Sequence, residues 1–469
     1  MLRTEEALKT VLDSVSPLTH LETVELHSAS GRVLGVDIYA DTDLPGFDNS
    51  AMDGYAVAAS DTVPAVPGEP VLLRVVDEIP AGGRPTRELG RAEAARIMTG
   101  APLPTGADAV VMVEDTETIS ENGTELVRIT GSVAPGENAR RAGEDVRSGD
   151  LVMSRGRLIR PVDIGLLAAL GCAAVRVVRP PEVAVLSTGS ELVGIADTPA
   201  PGQVRDANSI ALCAGVAACG CLPLNLGYVT DNEGELASKI AEGLRHDMFL
   251  VTGGVSVGKF DMVKQALAAA GADVKFWKVA IKPGKPLVFA VHDGRPVFGL
   301  PGNPVSALVA FEVFVKPALA KLRGRTELAE PEVSAVIEDD FQKKPGRRHF
   351  VRVQVSVRDG RYHAKVTGPQ GSGMLSSMVR ANGLAVIPEE AEVVRKGESV
   401  RVRLIAGLGD SPHAGTVPSD EPDCRDCDAF RLQTVSPLLW AGEPDCGGEG
   451  GGQEADRTVL EMQQWSVQV

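Results

Sequence analysis

The stretch MFLVTGGVSVGKFD at positions 248–261 decides the fold. Its first five residues, Met248 to Thr252, carry no charge and run into two glycines, as in a strand buried on both faces. A glycine-rich turn follows, and MVKQALAAAGA at 262–272 has the composition of a helix. A strand that enters a helix through such a turn is typical of an α/β sheet with parallel strands.

The same alternation extends over residues 180–325. EVAVLSTG at 182–189 predicts a second buried strand, and helices are predicted for ALCAGVAACG, ELASKIAEGL and the long segment PVSALVAFEVFVKPALAKL at 304–322. We therefore predict a parallel sheet covered on both faces. Ligands of such sheets bind beyond the carboxyl ends of the strands.

Short strand signals lie on either side of this unit. VLLRVVDEI, DAVVMVEDTE and ELVRIT, between residues 45 and 140, predict one small β domain. EVSAVIE, FVRVQVSV, LAVIP and SVRVRLI, between 328 and 406, predict a second. Before both, apolar residues recur at helical spacing from Thr4 to Val15 and predict an amphipathic opening helix.

Charge and composition exclude several function classes. The 469 residues contain 47 Lys and Arg against 63 Asp and Glu, a net charge of −16, and 43% of them are hydrophobic. A folded acidic protein is a poor partner for duplex DNA or an anionic membrane, which require a positive surface. Residues 409–469 hold 12 acids, three arginines and no lysine, and predict a disordered tail.

Targeting signals and cysteine pattern point to a cytoplasmic protein. The acidic start MLRTEEALKT does not resemble a signal peptide, and no apolar run reaches about 18 residues. Seven scattered cysteines favour reduced thiols over a disulfide framework. In the tail, CRDC at 424–427 with His413 and Cys446 leaves a zinc site as an alternative to a solvated extension, and SPLLW could dock a partner.

The glycine-rich turn after the first strand predicts an anion site. Gly253, Gly258 and Lys259 match most of the phosphate-loop pattern, but Phe260 replaces the hydroxyl residue that binds Mg²⁺ in nucleoside triphosphatases. An ordinary ATPase or GTPase is therefore excluded. Backbone N–H groups of the turn can still approach an anion, and Asp261 could hold a bridging cation. A tight turn capped by Asp261 is the alternative.

Lysines just downstream predict an oxyanion site. In WKVAIKPGKP, Lys278 and Lys282 flank the strand-like Val-Ala-Ile, so their even spacing places both on one face. Two ammonium groups on one side of a buried strand need an anionic partner, because unpaired buried charge is costly. The rigid PGNP turn at 301–304 then opens the long helix at the expected ligand rim, although it could be purely structural.

Acidic residues in turns complete a site of mixed sign. Asp53, Asp145, Glu191 and Asp231 each lie beside Gly, Ser or Thr, where an N-cap or Asx turn is the alternative interpretation. Together with the lysines they suit a phosphorylated ligand with Mg²⁺.

Seven motifs in this order closely resemble the molybdopterin molybdenumtransferase family, the bacterial MoeA type and the E domain of gephyrin. They are FDNSAMDGYA, RIMTGAPLP, RRAGEDV, STGSEL, TGGVSVGKFD, KVAIKPGKP and GLPGNPVSAL. The resemblance covers residues 1–406. It implies a multidomain α/β protein with a parallel-sheet molybdopterin-binding domain (179–326), two small β domains and a discontinuous helical linker domain (1–44 and 141–178). The β domains would be an inserted one (45–140) and a C-terminal β-barrel (327–408).

The reaction implied by this resemblance inserts molybdenum from molybdate into adenylylated molybdopterin and releases AMP in a Mg²⁺-dependent step. A homodimer is implied, with Asp53, Thr99 and Asp145 completing the site across its interface. Lys278, Lys282, Arg352 and Ser372 would capture the oxyanion, while Asp231, Asp261 and Glu191 would hold the metal. The catalytic set is Asp53, Asp145, Glu191, Asp231, Asp261, Lys278 and Lys282. The substrate-binding set is Thr99, Gly253, Gly254, Ser256, Gly258, Pro301, Gly302, Asn303, Pro304, Arg352 and Ser372.

Two questions stay open at the level of sequence. Arg347 and Arg348 lie close to Arg352, so any of the three could serve the site. The function could alternatively be molybdopterin adenylylation, since the α/β domain is shared with the adenylyltransferases, or a gephyrin-like scaffold role. Partners expected for the family are its small-molecule substrates and other proteins of molybdenum cofactor biosynthesis.

Overall fold

A computed structural model describes residues 1–66, 68–230, 232–254, 262–328 and 330–408 of the chain. The strands before residue 180 are β1 (Leu21–Glu25), β2 (Ile38–Tyr39), β3 (Asn49–Ser50), β4 (Gly54–Val57), β5 (Val71–Ile79), β6 (Glu93–Ile97), β7 (Ala109–Met112), β8 (Thr116–Glu121), β9 (Thr124–Ile129), β10 (Ala139–Arg140), β11 (Leu151–Met153) and β12 (Ala174–Val178). The later strands are β13 (Glu182–Thr188), β14 (Leu192–Val193), β15 (Val204–Arg205), β16 (Leu222–Val229), β17 (Met248–Thr252), β18 (Asp273–Lys278), β19 (Ile281–Lys282), β20 (Pro286–His292), β21 (Arg295–Leu300), β22 (Glu332–Ile337), β23 (Phe341–Gln342), β24 (Arg348–Arg358), β25 (Arg361–Val366), β26 (Gly383–Ile387), β27 (Val393–Val394) and β28 (Ser399–Leu404).

The helices are α1 (Thr4–Ser14), α2 (Ala59–Thr62), α3 (Pro161–Ala169), α4 (Ala207–Ala218), α5 (Glu233–Gly243), α6 (Met262–Ala269), α7 (Pro304–Ala310), α8 (Lys316–Leu322) and α9 (Leu375–Val379). Short 3-10 turns occupy Leu26–Ser28 and Val113–Asp115. No helix among the described ranges combines the length and apolar character needed to cross a bilayer.

The central module is a six-stranded sheet in the order β16-β13-β17-β21-β20-β18. Side chains of β13 alternate between two cores: Val183 and Val185 pack on one face, Ala184 and Leu186 on the other. A strand with two buried faces must be apolar at every position, which explains the uninterrupted run in the sequence. Helices therefore cover both faces, as predicted.

This sheet is mixed rather than wholly parallel. Its first four strands are parallel, but β20 and β21 form an antiparallel hairpin. Strand β18 then pairs antiparallel with β20. Asp293 and Gly294 connect the hairpin with φ of +48° and +77°. An Asp-Gly pair suits this turn, because both positions need a positive φ.

The long predicted helix at 304–322 is present as α7, a π-helical turn over Phe311–Val315, and α8. Pro317 follows the π turn. Proline has no N–H and its ring crowds the preceding turn, so the backbone widens rather than keeping regular α-helical bonds. The helix still presents Val309, Phe311 and Phe314 to one continuous core.

The chain segments on either side of the inserted β sheet meet again in a linker module. β1 pairs antiparallel with β12, β2 pairs with β11, and α3 packs on a core that includes Leu34, Leu167 and Val177. The opening helix α1 packs elsewhere: Ala7, Val11 and Val15 enter the core of the central module.

Two further sheets flank these modules. The inserted one has the order β7-β4-β6-β5-β9-β8, with Tyr55 and Val57 in one core and Ala56 in another. In the C-terminal module, β24 pairs with both β25 and β26, which closes the ring β24-β25-β22-β28-β26 into a barrel. Strand β19, which lies between β18 and β20 of the central module in sequence, pairs in parallel with the start of β24.

Candidate active site

A cavity of about 720 Å³ opens where β13, β17 and β21 end. This is the carboxyl edge of the parallel strands, where the sheet topology predicts ligands to bind. Seven residues predicted from the sequence line it: Glu191, Gly253, Gly254, Pro301, Gly302, Asn303 and Pro304. Gly373 of the C-terminal module closes one side.

Two glycines allow the strand ends to approach closely. Gly253 and Gly254 have φ of +92° and +61°. A Cβ on Gly253 would lie 2.1 Å from the Thr188 carbonyl oxygen, and one on Gly254 would lie 2.8 Å from Thr188 Oγ1. Neither position tolerates a side chain, so the end of β17 stays against the end of β13 and the turn remains bare backbone.

Asn208, near the start of α4, ties the cavity walls together. Its Nδ2 donates to the Gly302 carbonyl at 2.8 Å and to Thr252 Oγ1 at 3.1 Å. Thr252 Oγ1 in turn donates to the Pro301 carbonyl at 2.9 Å. The PGNP turn is therefore held by side chains from the neighbouring strand and helix. We did not predict Asn208, whose sequence signal is its place just after a helix start.

Asp206 was also missed, and it is a buried carboxylate at the cavity wall. It accepts hydrogen bonds from Ser187 Oγ at 2.7 Å, Ser209 Oγ at 2.6 Å and the Ser209 backbone N–H at 3.1 Å. It thereby caps α4 and fixes the end of β13 to that helix. An aspartate directly before an apolar helical segment is the signal that could have identified it.

Thr188 provides a buried hydroxyl without a hydrogen-bond partner in the described part of the chain. The residue is 6% exposed and lines the cavity at the end of β13. A buried polar atom left unpaired is costly, and such atoms in native proteins usually have a function or a missing partner. A ligand oxygen or nitrogen in the cavity would supply that partner.

Glu191 brings a carboxylate over the Gly189 turn. A Cβ on Gly189 would lie 2.5 Å from Glu191 Oε2, so the side chain folds back over the glycine backbone. Its hard oxygens suit Mg²⁺. The described residues contain no cluster of three or more His, Cys, Asp or Glu that could hold a metal ion. Predicted partners Asp231 and Asp261 lie outside the described residues, as do Ser256 and Gly258.

Lys278 and Lys282 do not share one strand, so that prediction was wrong. Lys278 ends β18 in the central sheet, whereas Lys282 lies in β19, opposite His349 in the barrel. Between them, the Ala280 backbone N–H donates to the Leu2 carbonyl at 2.8 Å. The chain thus leaves one sheet and joins another. Lys282 is exposed rather than buried.

Lys282 instead lines a cationic cavity of about 540 Å³. Its lining residues are Lys282, Gln342, Lys343, Lys344, Arg347, His349, Glu392 and Val393. Burial and the charges of Lys282, Lys343 and Arg347 lower the pKa of His349 to about 4. The positive charge already present makes a further proton unfavourable, and an anion would relieve that repulsion.

The three arginines considered from the sequence have different environments. Arg347 lines the cationic cavity, and Arg348 forms ion pairs with Glu5 and Glu389. Arg352 is 1% exposed, and burial lowers its pKa to about 10. Its guanidinium donates to Ser377 Oγ and to the Gly371 carbonyl, both at 3.0 Å.

Arg352 therefore supports the QGSG loop from within the barrel and does not line the strand-end cavity. The Ser372 carbonyl of that loop accepts a hydrogen bond at 3.1 Å from the Val305 backbone N–H, at the start of α7. Through this contact the C-terminal module is fixed to the PGNP turn.

Asp53, Thr99 and Asp145 do not line the strand-end cavity in a single chain. Asp53 Oδ1 accepts from the Thr99 backbone N–H and from Thr99 Oγ1, both at 2.7 Å, and these bonds lower the pKa of Asp53. Asp145 lines a separate cavity of about 480 Å³ with Asn49 and Arg140. The structure thus joins Asp53 with Thr99 but brings neither to Glu191.

Comparison with known families finds three matching models along the chain. Residues 2–171 match the MoeA N-terminal region (domain I and II), and residues 184–321 match a probable molybdopterin binding domain. Residues 334–405 match the MoeA C-terminal region (domain IV). The strand-end cavity lies largely within the second of these regions.

Curated relatives and solved structures agree with these matches. Molybdopterin molybdenumtransferase 2 of Mycobacterium tuberculosis is 41% identical over 386 residues, covering 81% of this chain and 94% of the relative. The Haemophilus influenzae molybdopterin molybdenumtransferase is 38% identical, covering 86% of this chain and 98% of that protein. The crystal structure of the Pyrococcus horikoshii molybdopterin biosynthesis MoeA protein superposes with a TM-score of 0.74 at 34% identity. The match covers 86% of this chain and 100% of that structure's chain. This chain therefore belongs to the molybdopterin molybdenumtransferase family.

Proposed function

We propose that this protein inserts molybdenum from molybdate into adenylylated molybdopterin and releases AMP. The observation that carries the proposal is the strand-end cavity, in the region that matches a probable molybdopterin binding domain. Names of relatives that match most of the chain support the role in molybdenum cofactor biosynthesis and the transferase class. The adenylylated substrate and the release of AMP are our extension of that role.

The strand-end cavity suits the organic part of the substrate. Thr188 offers a buried hydroxyl, and Glu191 offers acceptor oxygens for ring or ribose N–H and O–H groups. The bare backbone at Gly253 and Gly254 lets a bulky ligand approach closely. Asn208 and Asp206 do not need to contact the ligand, because their role is to hold the walls in place before it arrives.

The cationic cavity at Lys282 suits molybdate. Molybdate is a dianion, and it must be held near a pyrophosphate that is also anionic. Among the described residues, three lysines and an arginine line this cavity against one acid, Glu392. Neutral His349 can donate a hydrogen bond to an oxyanion from its one ring N–H without first gaining a proton. Lys282 would therefore bind the incoming oxyanion and offset the repulsion between the two anions.

Glu191 fits a Mg²⁺ site of the kind found at substrate phosphates. Mg²⁺ usually keeps several waters and takes one or two protein carboxylates together with phosphate oxygens, so a large ligand cluster is not required. Glu191 would contribute one carboxylate, and Asp231 and Asp261 are the sequence-predicted others. When bound, Mg²⁺ would neutralise charge on the pyrophosphate as AMP departs.

A second copy of the chain would complete the site. Asp53 and Thr99 form an exposed pair in the inserted module, away from the strand-end cavity of their own chain. We propose that they, with Asp145, reach the cavity of a partner in a homodimer. A dimer in solution whose Asp53→Asn variant keeps its size but loses turnover would agree with this assignment.

Release of AMP from adenylylated molybdopterin tests the proposal. Lys282→Ala should lower the molybdate-dependent rate at least about 100-fold, because one fully engaged charged contact is worth about 3 kcal/mol in the transition state. Arg245→Gln is a matched control, because Arg245 is an exposed cation just after α5 and lines neither the strand-end cavity nor the Lys282 cavity. Equal rates in the two variants would contradict the role of Lys282, and transfer of AMP from ATP to molybdopterin would favour adenylylation instead.

A further inference from the structure

We infer that an arginine-lined cavity at the linker module binds a phosphate-bearing small anion, at a site separate from the proposed active site. The cavity measures about 500 Å³. Its walls are the turn at 151–160 and the segment at 325–327, which leads from α8 toward the barrel. It shares no lining residue with the strand-end cavity or the Lys282 cavity.

Four arginines face this cavity: Arg155, Arg157, Arg160 and Arg325. Glu327 is the one acid among its lining residues in the described chain. The guanidinium groups repel one another, and an anion or a carboxylate in the cavity would offset that repulsion.

Asp163 compensates two of the arginines and orients them. The residue is 4% exposed, and Arg157 donates to it through Nη2 at 2.7 Å and Nε at 3.3 Å. Arg160 donates through Nε and Nη2, both at 3.2 Å, and through its backbone N–H at 2.9 Å. These bonds use one edge of each guanidinium and fix its plane. The Nη1 groups have no hydrogen-bond acceptor within the described parts of the chain and remain for a ligand.

Arg155 and Arg325 have no such compensation. Among the described residues, Arg157 and Arg160 form ion pairs with Asp163, whereas neither the Arg155 nor the Arg325 guanidinium forms an ion pair with a carboxylate. Their backbones are nevertheless fixed: the Arg155 N–H donates to Asp37 Oδ1 at 2.7 Å, and the Arg325 N–H donates to the Ala320 carbonyl at 3.0 Å. Two anchored arginines with no carboxylate partner among the described residues lie beside two that are oriented by a buried acid, and together they form a preorganised cationic site.

The joint that carries these arginines is tightly packed. A Cβ on Gly156 would lie 2.9 Å from the Gly324 carbonyl and 2.7 Å from Thr326 Cγ2, and the Thr326 N–H donates to the Gly156 carbonyl at 3.2 Å. The two walls therefore hold a fixed separation without a ligand. Guanidinium groups match phosphate oxygens in geometry, so inorganic phosphate or a phosphomonoester is the expected class of ligand.

Calorimetric titration of the full-length protein tests the inference, with inorganic phosphate in one arm and ribose 5-phosphate in the other. The double variant Arg155→Gln/Arg325→Gln should raise Kd at least about 10-fold for whichever ligand the site takes, since each charged hydrogen bond contributes about 1.5 kcal/mol or more. Arg245→Gln, at an exposed arginine that does not line the cavity, should leave it unchanged. Lys282→Gln distinguishes the two cationic sites, because binding that persists in this variant does not depend on the Lys282 cavity. The single variant Arg155→Gln, in an exposed turn, should weaken binding in the same direction if the double variant folds poorly.

Three results would overturn the inference. The first is that the wild type shows no saturable binding in either arm. The second is that both arginine variants keep a Kd within about 2-fold of the wild type. The third is that Lys282→Gln loses binding while the arginine variants keep it. The last result would assign the phosphate to the cationic cavity of the proposed active site. Failure of the AMP-release assay has no bearing on this titration, so the two proposals stand or fall separately.

Discussion

Replacing Asp206 by alanine should loosen the strand-end cavity without touching a ligand. The carboxylate is 5% exposed and receives three hydrogen bonds, from Ser187 Oγ, Ser209 Oγ and the Ser209 N–H. Alanine would leave both hydroxyls and the first turn of α4 without that acceptor. The end of β13 and the start of α4 would then be free to separate.

The expected magnitude follows from these contacts. Loss of an aspartate N-cap costs about 1 kcal/mol. A hydrogen bond from a hydroxyl to a charged acceptor contributes about 1.5 kcal/mol. Because the bonds share one carboxylate and water from the adjacent cavity can replace part of it, we expect a total loss of about 3 kcal/mol.

Amide hydrogen exchange over α4, residues Ala207–Ala218, measures this loss locally. Protection of the helix should fall about 100-fold in Asp206→Ala, the equivalent of about 3 kcal/mol. Asp197→Ala is the matched control, since this exposed aspartate also accepts a backbone N–H, from Gly194 at 2.9 Å. Protection of α4 in Asp206→Ala within a factor of about 2 of the control would refute the role of the buried carboxylate.

Two other perturbations test the same architecture. Gly253→Ala should lower stability by about 2 kcal/mol or more and abolish molybdopterin binding, because the new Cβ would lie 2.1 Å from a carbonyl oxygen. Gly271→Ala is its control: the φ is similar but nothing lies within 4 Å of the new Cβ, so the expected loss is only about 1 kcal/mol. The depressed pKa of His349, about 4 against 6.5 unfolded, means that the unfolded chain binds the extra proton first as pH falls. The free energy of unfolding, measured with urea at each pH, should therefore decrease by up to about 3 kcal/mol between pH 6.5 and pH 4. His349→Gln should remove most of this pH dependence.

Much of the fold could be predicted because the central strands are buried on both faces. The apolar runs at β13 and β17 and the helix at 304–322 follow directly from that burial. The antiparallel hairpin of β20 and β21 was missed, although Asp293 and Gly294 carry the signal for its turn. We expected the alternating strand and helix pattern to continue as parallel strands, and this expectation outweighed the hairpin signal of the Asp-Gly turn.

The site was predictable at strand ends and less so at the lysines. Glycines and prolines at the carboxyl edge could be placed, because topology brings successive strand ends together. Lys278 and Lys282 could not be placed, because even spacing puts two side chains on one face only if both residues belong to the same strand, and here the chain passes from one sheet to another between them. Burial of Arg352 and the role of Asp206 depend on contacts distant in sequence, with Gly371 and Ser187 respectively, which no local pattern encodes.

Molybdate-dependent release of AMP from adenylylated molybdopterin by the wild-type protein is the most direct test of the proposed function. With Mg²⁺ present, we expect AMP to appear together with molybdenum-loaded cofactor in equal amounts, and the rate to saturate with molybdate. AMP release that does not depend on molybdate, or no release from substrate that the protein demonstrably binds, would contradict the proposal.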